Sequence, residues 1–277
     1  MASRLWLGHC VVMSTVAERP AIGTLLREWR RRRHLSQLDL SSEAGVSSRH
    51  VSFIETGRAK PSRAMVLQLA DMLAVPLREQ NQLLIAAGYA PTFRERRLED
   101  PDMAAVKAGL EIVLRGYEPF PCLVVDRGWN LLLANSGINA LLVGAAPHLL
   151  EPPVNVLRLS LHPEGLAPQI LNLGQWRAHV LDRLAREAAV SGSAVLADLH
   201  TELLAYPGGL EDHNAEEIAV PLRIVVGGVE LAFMSTVTTF GTALDLTAAE
   251  LSIEAFLPAD EATAAAVRQL SEQPDLR

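Results

Sequence analysis

At 277 residues the chain has room for about two domains, and its 49% apolar and 21% charged composition excludes a disordered polymer. No apolar run approaches the roughly 18 residues of a membrane span, and Cys10 and Cys122 fit no metal or redox spacing, so a reducing cytoplasm is the plain expectation. The net charge of −7 averages two unlike parts, +5 over residues 1–100 and −12 over residues 101–277.

The basic character is concentrated in residues 20–63, with nine basic against four acidic side chains. That pattern suggests a nucleic-acid-binding module joined to something else. Residues 1–19 faintly resemble a signal peptide, but His9 breaks the apolar run. They are read as a disordered tail or a mis-assigned start, with translation beginning at Met1 or Met13.

From Ile22 the pattern is helical, with Ile22, Leu25, Leu26 and Trp29 on one face and arginines on the other. Ser36 is placed to cap a second helix running to about Ala44, with Asp39 in its first turn. Gly45 supplies a turn, and Ser47 caps a third helix that ends at Gly57. Pro61-Ser62 introduces a fourth helix and Pro76 a fifth, closed by Gly88. The expectation is an all-α domain of five helices over residues 20–90, then a linker over 91–103.

Beyond it the texture changes. A helix from Met103 to Tyr117 leads to a strand (122–126), a turn at Arg127-Gly128, a second strand (130–134) and a helix. Long helices are expected from about Pro168 to Ala189 and Ala194 to Leu204. Two strands then meet at a Gly227-Gly228 hairpin, and "LTAAELSIEAFLPAD" adds a strand with or without a helical turn. The second domain, residues 104–262, is therefore α+β, an antiparallel sheet with helices against one face. Residues 263–277 form a C-terminal helix and tail.

Residues 37–56 meet the requirements of a helix-turn-helix. Leu40, Ala44, Val46, Val51 and Ile54 supply the buried contacts, Ser41 the small residue at the closest approach, and Gly45 the turn. The outer face of the second helix, with Ser48, Arg49 and Ser52, is left for a major groove. "SQLDLSSEAGVSSRHVSFIETGRAKPS" resembles the Xre and phage-repressor group, over residues 22–75. That resemblance implies a phosphate contact from Gln37, base edges facing Ser48 and Arg49, and backbone anchoring by Arg58 and Lys60. Ser47 and Ser52 complete the candidate interface. Phe53 falls on a third base-reading position, where it can offer a thymine methyl contact but no hydrogen bond. Arg49 alone could pair both guanine acceptors, worth roughly 1–3 kcal/mol of discrimination. Glu55 is expected to pair internally with an arginine of the run Arg30–Arg33.

"CLVVDRGWNLLLAN" reads as the opening of a PAS-like sheet. "NVLRLSLHPEGLAPQILNLGQWRAHVLDRL" and "STVTTFGTALDLTAAELSIEAFLPADEAT" are similar to the ligand-binding domain of MmyB-like bacterial transcription regulators. This resemblance implies a multidomain protein with a PAS-like second domain whose apolar cavity takes a fatty-acid-like ligand. Polar or large groups among the apolar runs mark candidate pocket residues: Trp129, Asn135 and Trp176, with Arg158, His162 and Arg177. Either arginine could meet a carboxylate. The stretch "EDHNAEE" (211–217) reads as a solvated loop, so no metal is expected.

No glycine-rich phosphate loop, HExxH or nucleophile elbow is present, and an enzyme is not expected. No cofactor is required, beyond a bound fatty acid or similar apolar ligand. Expected partners are double-stranded DNA with a palindromic operator, the small apolar ligand and a second copy of the chain, with no membrane. The rival readings are an antitoxin-like protein whose second domain grips a protein partner, and an enzyme carrying a DNA-binding domain.

Overall fold

The computed structural model describes residues 20–211, 219–240 and 245–272. By its contacts the chain divides into two compact units, one of residues up to 75 with 79–91, the other of residues 76–78 with those from 92 onward. The expected tail at 1–19 and residues 212–217 of the acidic loop lie outside the described residues. Among the described residues no helix is long and apolar enough to cross a membrane.

The first unit is helical: α1 (Ile22–Arg32), α2 (Gln37–Glu43), α3 (Ser48–Glu55), α4 (Arg63–Met72) and α5 (Leu77–Ala86). Helix α2 begins with a reciprocal cap, in which Asp39 N donates to Ser36 Oγ at 3.1 Å and Ser36 N donates to Asp39 Oδ2 at 2.8 Å. These bonds hold the Asp39 carboxyl below its ordinary pKa. Ser47 caps α3 by accepting from His50 N at 3.2 Å. Gly45 (φ +64°) and Gly57 (φ +72°) take the left-handed turns after α2 and α3. Leu26, Trp29, Leu40, Ala44, Val51 and Ile54 are buried together with Val66 and Leu69 of α4, and Val46 packs half-buried against them. Ser41 is buried too, its hydroxyl donating to Leu38 O at 2.8 Å. Helices α1 and α3 approach so closely that a Cβ on Gly23 would lie 2.4 Å from Ile54 O.

The second unit is α+β. It contains α6 (Ala104–Tyr117), β1 (Cys122–Val125), β2 (Leu131–Ala134), α7 (Val156–Leu161), α8 (Leu173–Ser191) and α9 (Ala194–Leu204). β3 (Leu222–Val226), β4 (Val229–Thr239), α10 (Leu246–Ala249), β5 (Ser252–Pro258) and α11 (Glu261–Ser271) follow. Every pairing is antiparallel, in the order β2-β1-β5-β4-β3. Gly227 and Gly228 both have positive φ and close the β3–β4 hairpin.

Five features depart from the sequence expectation. Helices cover both faces of β1, not one: Leu123 and Val125 face the core with Trp176, Val180 and Leu199, while Cys122 and Val124 pack with Leu110 and Leu114 of α6. This is the period-two alternation of a central strand. The segment 92–103 is not a free linker, because Leu98 and Met103 are buried in the α6 cluster and Leu246 N donates to Arg94 O at 3.0 Å. The helix expected from Pro168 begins at Leu173, since Ile170 is held extended by bridging Ile224. The helix after β2 is a 3₁₀ helix over Ser136–Leu142. At the other end, α11 is integral to the second unit, with Val267 in its main core.

Candidate nucleic-acid interface and ligand cavity

In the first unit the structure sorts the arginines into two groups. Glu55, whose side chain is 2% exposed, sits at the end of α3 and accepts from Arg30 Nε at 2.6 Å, Arg30 Nη2 at 2.9 Å and Gln37 Nε2 at 2.8 Å. Arg27 donates to its backbone oxygen at 2.8 Å. Burial opposes ionisation of this carboxyl, yet the hydrogen bonds from Arg30 and Gln37 hold its pKa below the usual carboxylate value. Arg33 donates to Leu73 O and Ala74 O, both at 2.7 Å, closing the end of α4. Arg32 lies 4.9 Å over the Trp29 ring. Arg30 and Arg33 thus hold helices together.

The second group faces solvent. Ser47, Ser48 and Arg49 are exposed on the first turn of α3, with Ser52 half-buried one turn on. Phe53, also half-buried, carries the Arg49 guanidinium 5.1 Å and the Arg58 guanidinium 5.9 Å from its ring centre. An apolar residue at this position therefore orders two cations beside the exposed face. Lys60 stands 5.5 Å over Tyr89, whose hydroxyl donates to Pro61 O at 3.0 Å. Gln37 spends one amide hydrogen on Glu55.

In the second unit the helices α7 and α8 enclose, with the sheet, an apolar cavity of about 230 Å³. Its walls include Leu123, Ile138, Leu157, Val180, Leu222 and Phe256, and its polar lining is Ser160, Arg183 and Glu254. Arg183 Nη1 donates to Glu254 Oε1 at 2.9 Å, and Ser235 Oγ donates to the same oxygen at 3.1 Å. The Arg183 guanidinium lies 4.3 Å over Trp129, whose Nε1 donates to Glu187 Oε2 at 2.9 Å. Burial keeps the Glu187 carboxyl above its ordinary pKa, although the Trp129 bond works the other way.

Of the six pocket residues expected from the sequence, the structure brings Trp176 to this cavity, its Nε1 donating to Ser160 Oγ at 3.0 Å. Trp129 is one contact removed, behind Arg183. Asn135 is spent on structure: it accepts from Cys122 N at 3.0 Å and donates to Leu114 O and Phe120 O. Arg158 pairs with Glu202 at 2.7 Å, and Arg177, 4% exposed, donates to Leu203 O, Leu204 O and Gly209 O. Neither arginine lines this cavity, although Arg177 Nε is buried without a hydrogen-bond partner. His162 lies beside His148 and Tyr206, away from the cavity lining.

His148, His162 and Glu164 present ligand atoms within 4.8 Å of one another. His162 Nδ1, however, accepts from Glu164 N at 3.1 Å. Cys122 is buried, and burial pushes its thiol up to about 11, which leaves it inert.

The sequence reading missed Ser160, Arg183 and Glu254. Glu254 carried a signal, a lone acid inside the apolar strand "SIEAF". Arg183 lies seven residues after Trp176 and so on the same helix face.

Comparison with known proteins agrees with this two-part reading. Residues 21–83 match the family described as a helix-turn-helix domain, and residues 106–270 match the MmyB-like transcription regulator ligand binding domain. The uncharacterized HTH-type transcriptional regulator RghRB of Bacillus subtilis (strain 168) is 35% identical over 102 residues, covering 36% of this chain and 71% of the relative. A solved structure of an RNA-binding Light-Oxygen-Voltage receptor aligns over 91% of this chain and 64% of its own length. At 14% identity and a TM-score of 0.28 it carries no argument.

Proposed function

The chain belongs to the family of the MmyB-like transcription regulator ligand-binding domain, carried behind a helix-turn-helix, and from that premise we propose that it is a sequence-specific transcription regulator controlled by a small apolar ligand. The observation that carries the DNA reading is the sorting of the cations. Arg30 and Arg33 are consumed in holding helices together, while Arg49, Arg58 and Lys60 are exposed around the first turn and end of α3. Arg49 reads base edges; Arg58, Lys60 and Gln37 meet phosphates, supplying affinity without sequence information. Phe53 positions Arg49 and meets a thymine methyl.

The regulator acts as a homodimer on a palindromic operator whose half-sites lie about 34 Å apart. The second unit binds a molecule with a fatty-acid-like hydrocarbon chain in its cavity, whose lining is apolar but for Ser160, Arg183 and Glu254. The ligand acts by binding the DNA-competent and incompetent arrangements unequally. The full chain, used to select from a random duplex pool, should enrich inverted repeats spaced by one helical turn. A pool that stays random after repeated rounds would overturn the DNA reading.

A further inference from the structure

Beside the apolar cavity the second unit has a wider groove of about 410 Å³, walled by the 3₁₀ helix Ser136–Leu142, by β4 and by α11. The 3₁₀ helix divides its side chains between the two spaces. Ile138 and Leu142 line the cavity, Gly137 and Ala140 line the groove, and Leu141, buried, lines both. On the sheet the boundary is as thin: Phe256 of β5 faces the cavity and Phe233 of β4 the groove, their ring centres 6.5 Å apart. The charges differ across it. Arg183 Nε lies buried in the cavity wall without a hydrogen-bond partner. No described residue lining the groove is cationic, and Glu118 there accepts from Ser136 N at 3.0 Å and Ser136 Oγ at 2.8 Å.

We propose that cavity and groove are two parts of one site for a long unbranched chain, and that Leu141 is the partition which the chain's tail must displace to pass from one to the other. The inference rests on the fatty-acid-like ligand reading above and adds the residue that reads chain length. At about 30 Å³ per small heavy-atom group, the cavity of about 230 Å³ takes a chain of roughly eight carbons. The groove has room for at least as many again. Shorter chains leave Leu141 in place; longer ones press on it. A leucine side chain turns between staggered positions, and a 3₁₀ helix has poorer hydrogen-bond geometry than an α-helix. The tail therefore moves one side chain and not the sheet, and each further methylene leaves water for the apolar walls of Leu231, Phe233, Val267 and Leu270. The charges fix the direction: an anionic head stays on the side of Arg183, away from Glu118, and the tail goes through.

The test is calorimetric titration of the full chain at pH 7.5 with sodium octanoate and sodium tetradecanoate, each below its micelle concentration. Tetradecanoate should bind at least about tenfold more tightly. Ala140→Trp fills the groove from a position outside the cavity lining. It should bring tetradecanoate to within about threefold of octanoate and leave octanoate unchanged. Leu141→Ala, which removes the partition, should tighten tetradecanoate about tenfold more than octanoate. Thermal melts establish that each variant is folded, and Ser271→Trp, from the exposed end of α11, blocks the same groove should Ala140→Trp fail to fold. Tetradecanoate binding no more tightly than octanoate in the unmodified chain overturns the two-part site and leaves the ligand reading standing. Tetradecanoate undiminished in a folded groove-filling variant sends the tail elsewhere and overturns it as well. Equal effects of Leu141→Ala on the two chains remove Leu141 as the partition. If neither chain binds, both this inference and the ligand reading beneath it fall.

Discussion

Arg49 differs from Arg30 and Arg33 in that no carboxylate or backbone oxygen of a described residue holds it; its contact is the face of Phe53. A guanidinium presented in this way keeps its donor fork turned to solvent. Arg49→Ala should therefore cost about 1–3 kcal/mol on the selected operator and almost nothing on scrambled DNA. Lys60→Ala should weaken both duplexes alike and reduce the salt slope by about one. Anisotropy titrations at several salt concentrations measure both effects, and equal losses on the two duplexes for Arg49→Ala would remove it as a reader. Glu55 supports a second prediction at this scale. Its folded pKa is depressed, so its contribution is complete above the ordinary carboxylate value of about 4.3 and is lost as pH falls through the lower folded value. Glu55→Gln should destabilise the protein by about 3 kcal/mol at pH 7, because Arg30 then loses its buried partner. In thermal melts the difference should close toward pH 3. A gap that does not change between pH 7 and pH 3 would show that the ionised carboxylate is not what holds α1, α2 and α3 together.

Among the elements, α1 and α3 are set by a contact that only glycine permits. Gly23→Ala would place a Cβ 2.4 Å from Ile54 O and 2.7 Å from Glu55 O. Backbone cannot yield as a flexible side chain can, so the substitution should cost about 1–3 kcal/mol and displace α3. Gly109, on α6, is the counter-case: a Cβ there meets nothing within 4 Å. Gly109→Ala should raise stability by about 0.5–1 kcal/mol through helix propensity. Denaturant unfolding reads both, and opposite signs are expected. The helix-turn-helix elements were legible in sequence because their determinants are local: Ser36 and Ser47 cap, Gly45 and Gly57 turn, and the apolar spacing names the core. Pro168 was read as a helix start because nothing nearby in sequence reveals that Ile170 bridges Ile224. The linker reading of 91–103 failed for the same reason, since the charged run carrying Arg94 and Arg96 is anchored by Asp245, Leu246 and Thr247, about 150 residues on.

The whole molecule joins a basic helix-turn-helix unit to an acidic one that encloses a cavity. The two-part division was visible in charge alone, but the cavity was not. Its wall collects residues from Leu123 to Phe256, and sequence could flag large or polar side chains without telling which were already committed. Arg158 and Arg177 looked like carboxylate receptors, and each is tied to α9, whereas the charged pair that lines the cavity joins α8 to β5. At this scale the expectation is linkage: a ligand that prefers one DNA-binding state must itself bind more or less tightly when DNA is present, by the same factor. The most direct measurement is the affinity of the full chain for its selected operator and for a scrambled duplex, each with and without saturating sodium octanoate. The account predicts operator binding about a thousandfold tighter than scrambled, and an operator affinity shifted about 5- to 150-fold by the fatty acid. Equal affinity for the two duplexes, or an operator affinity that the bound fatty acid leaves unmoved, would contradict it.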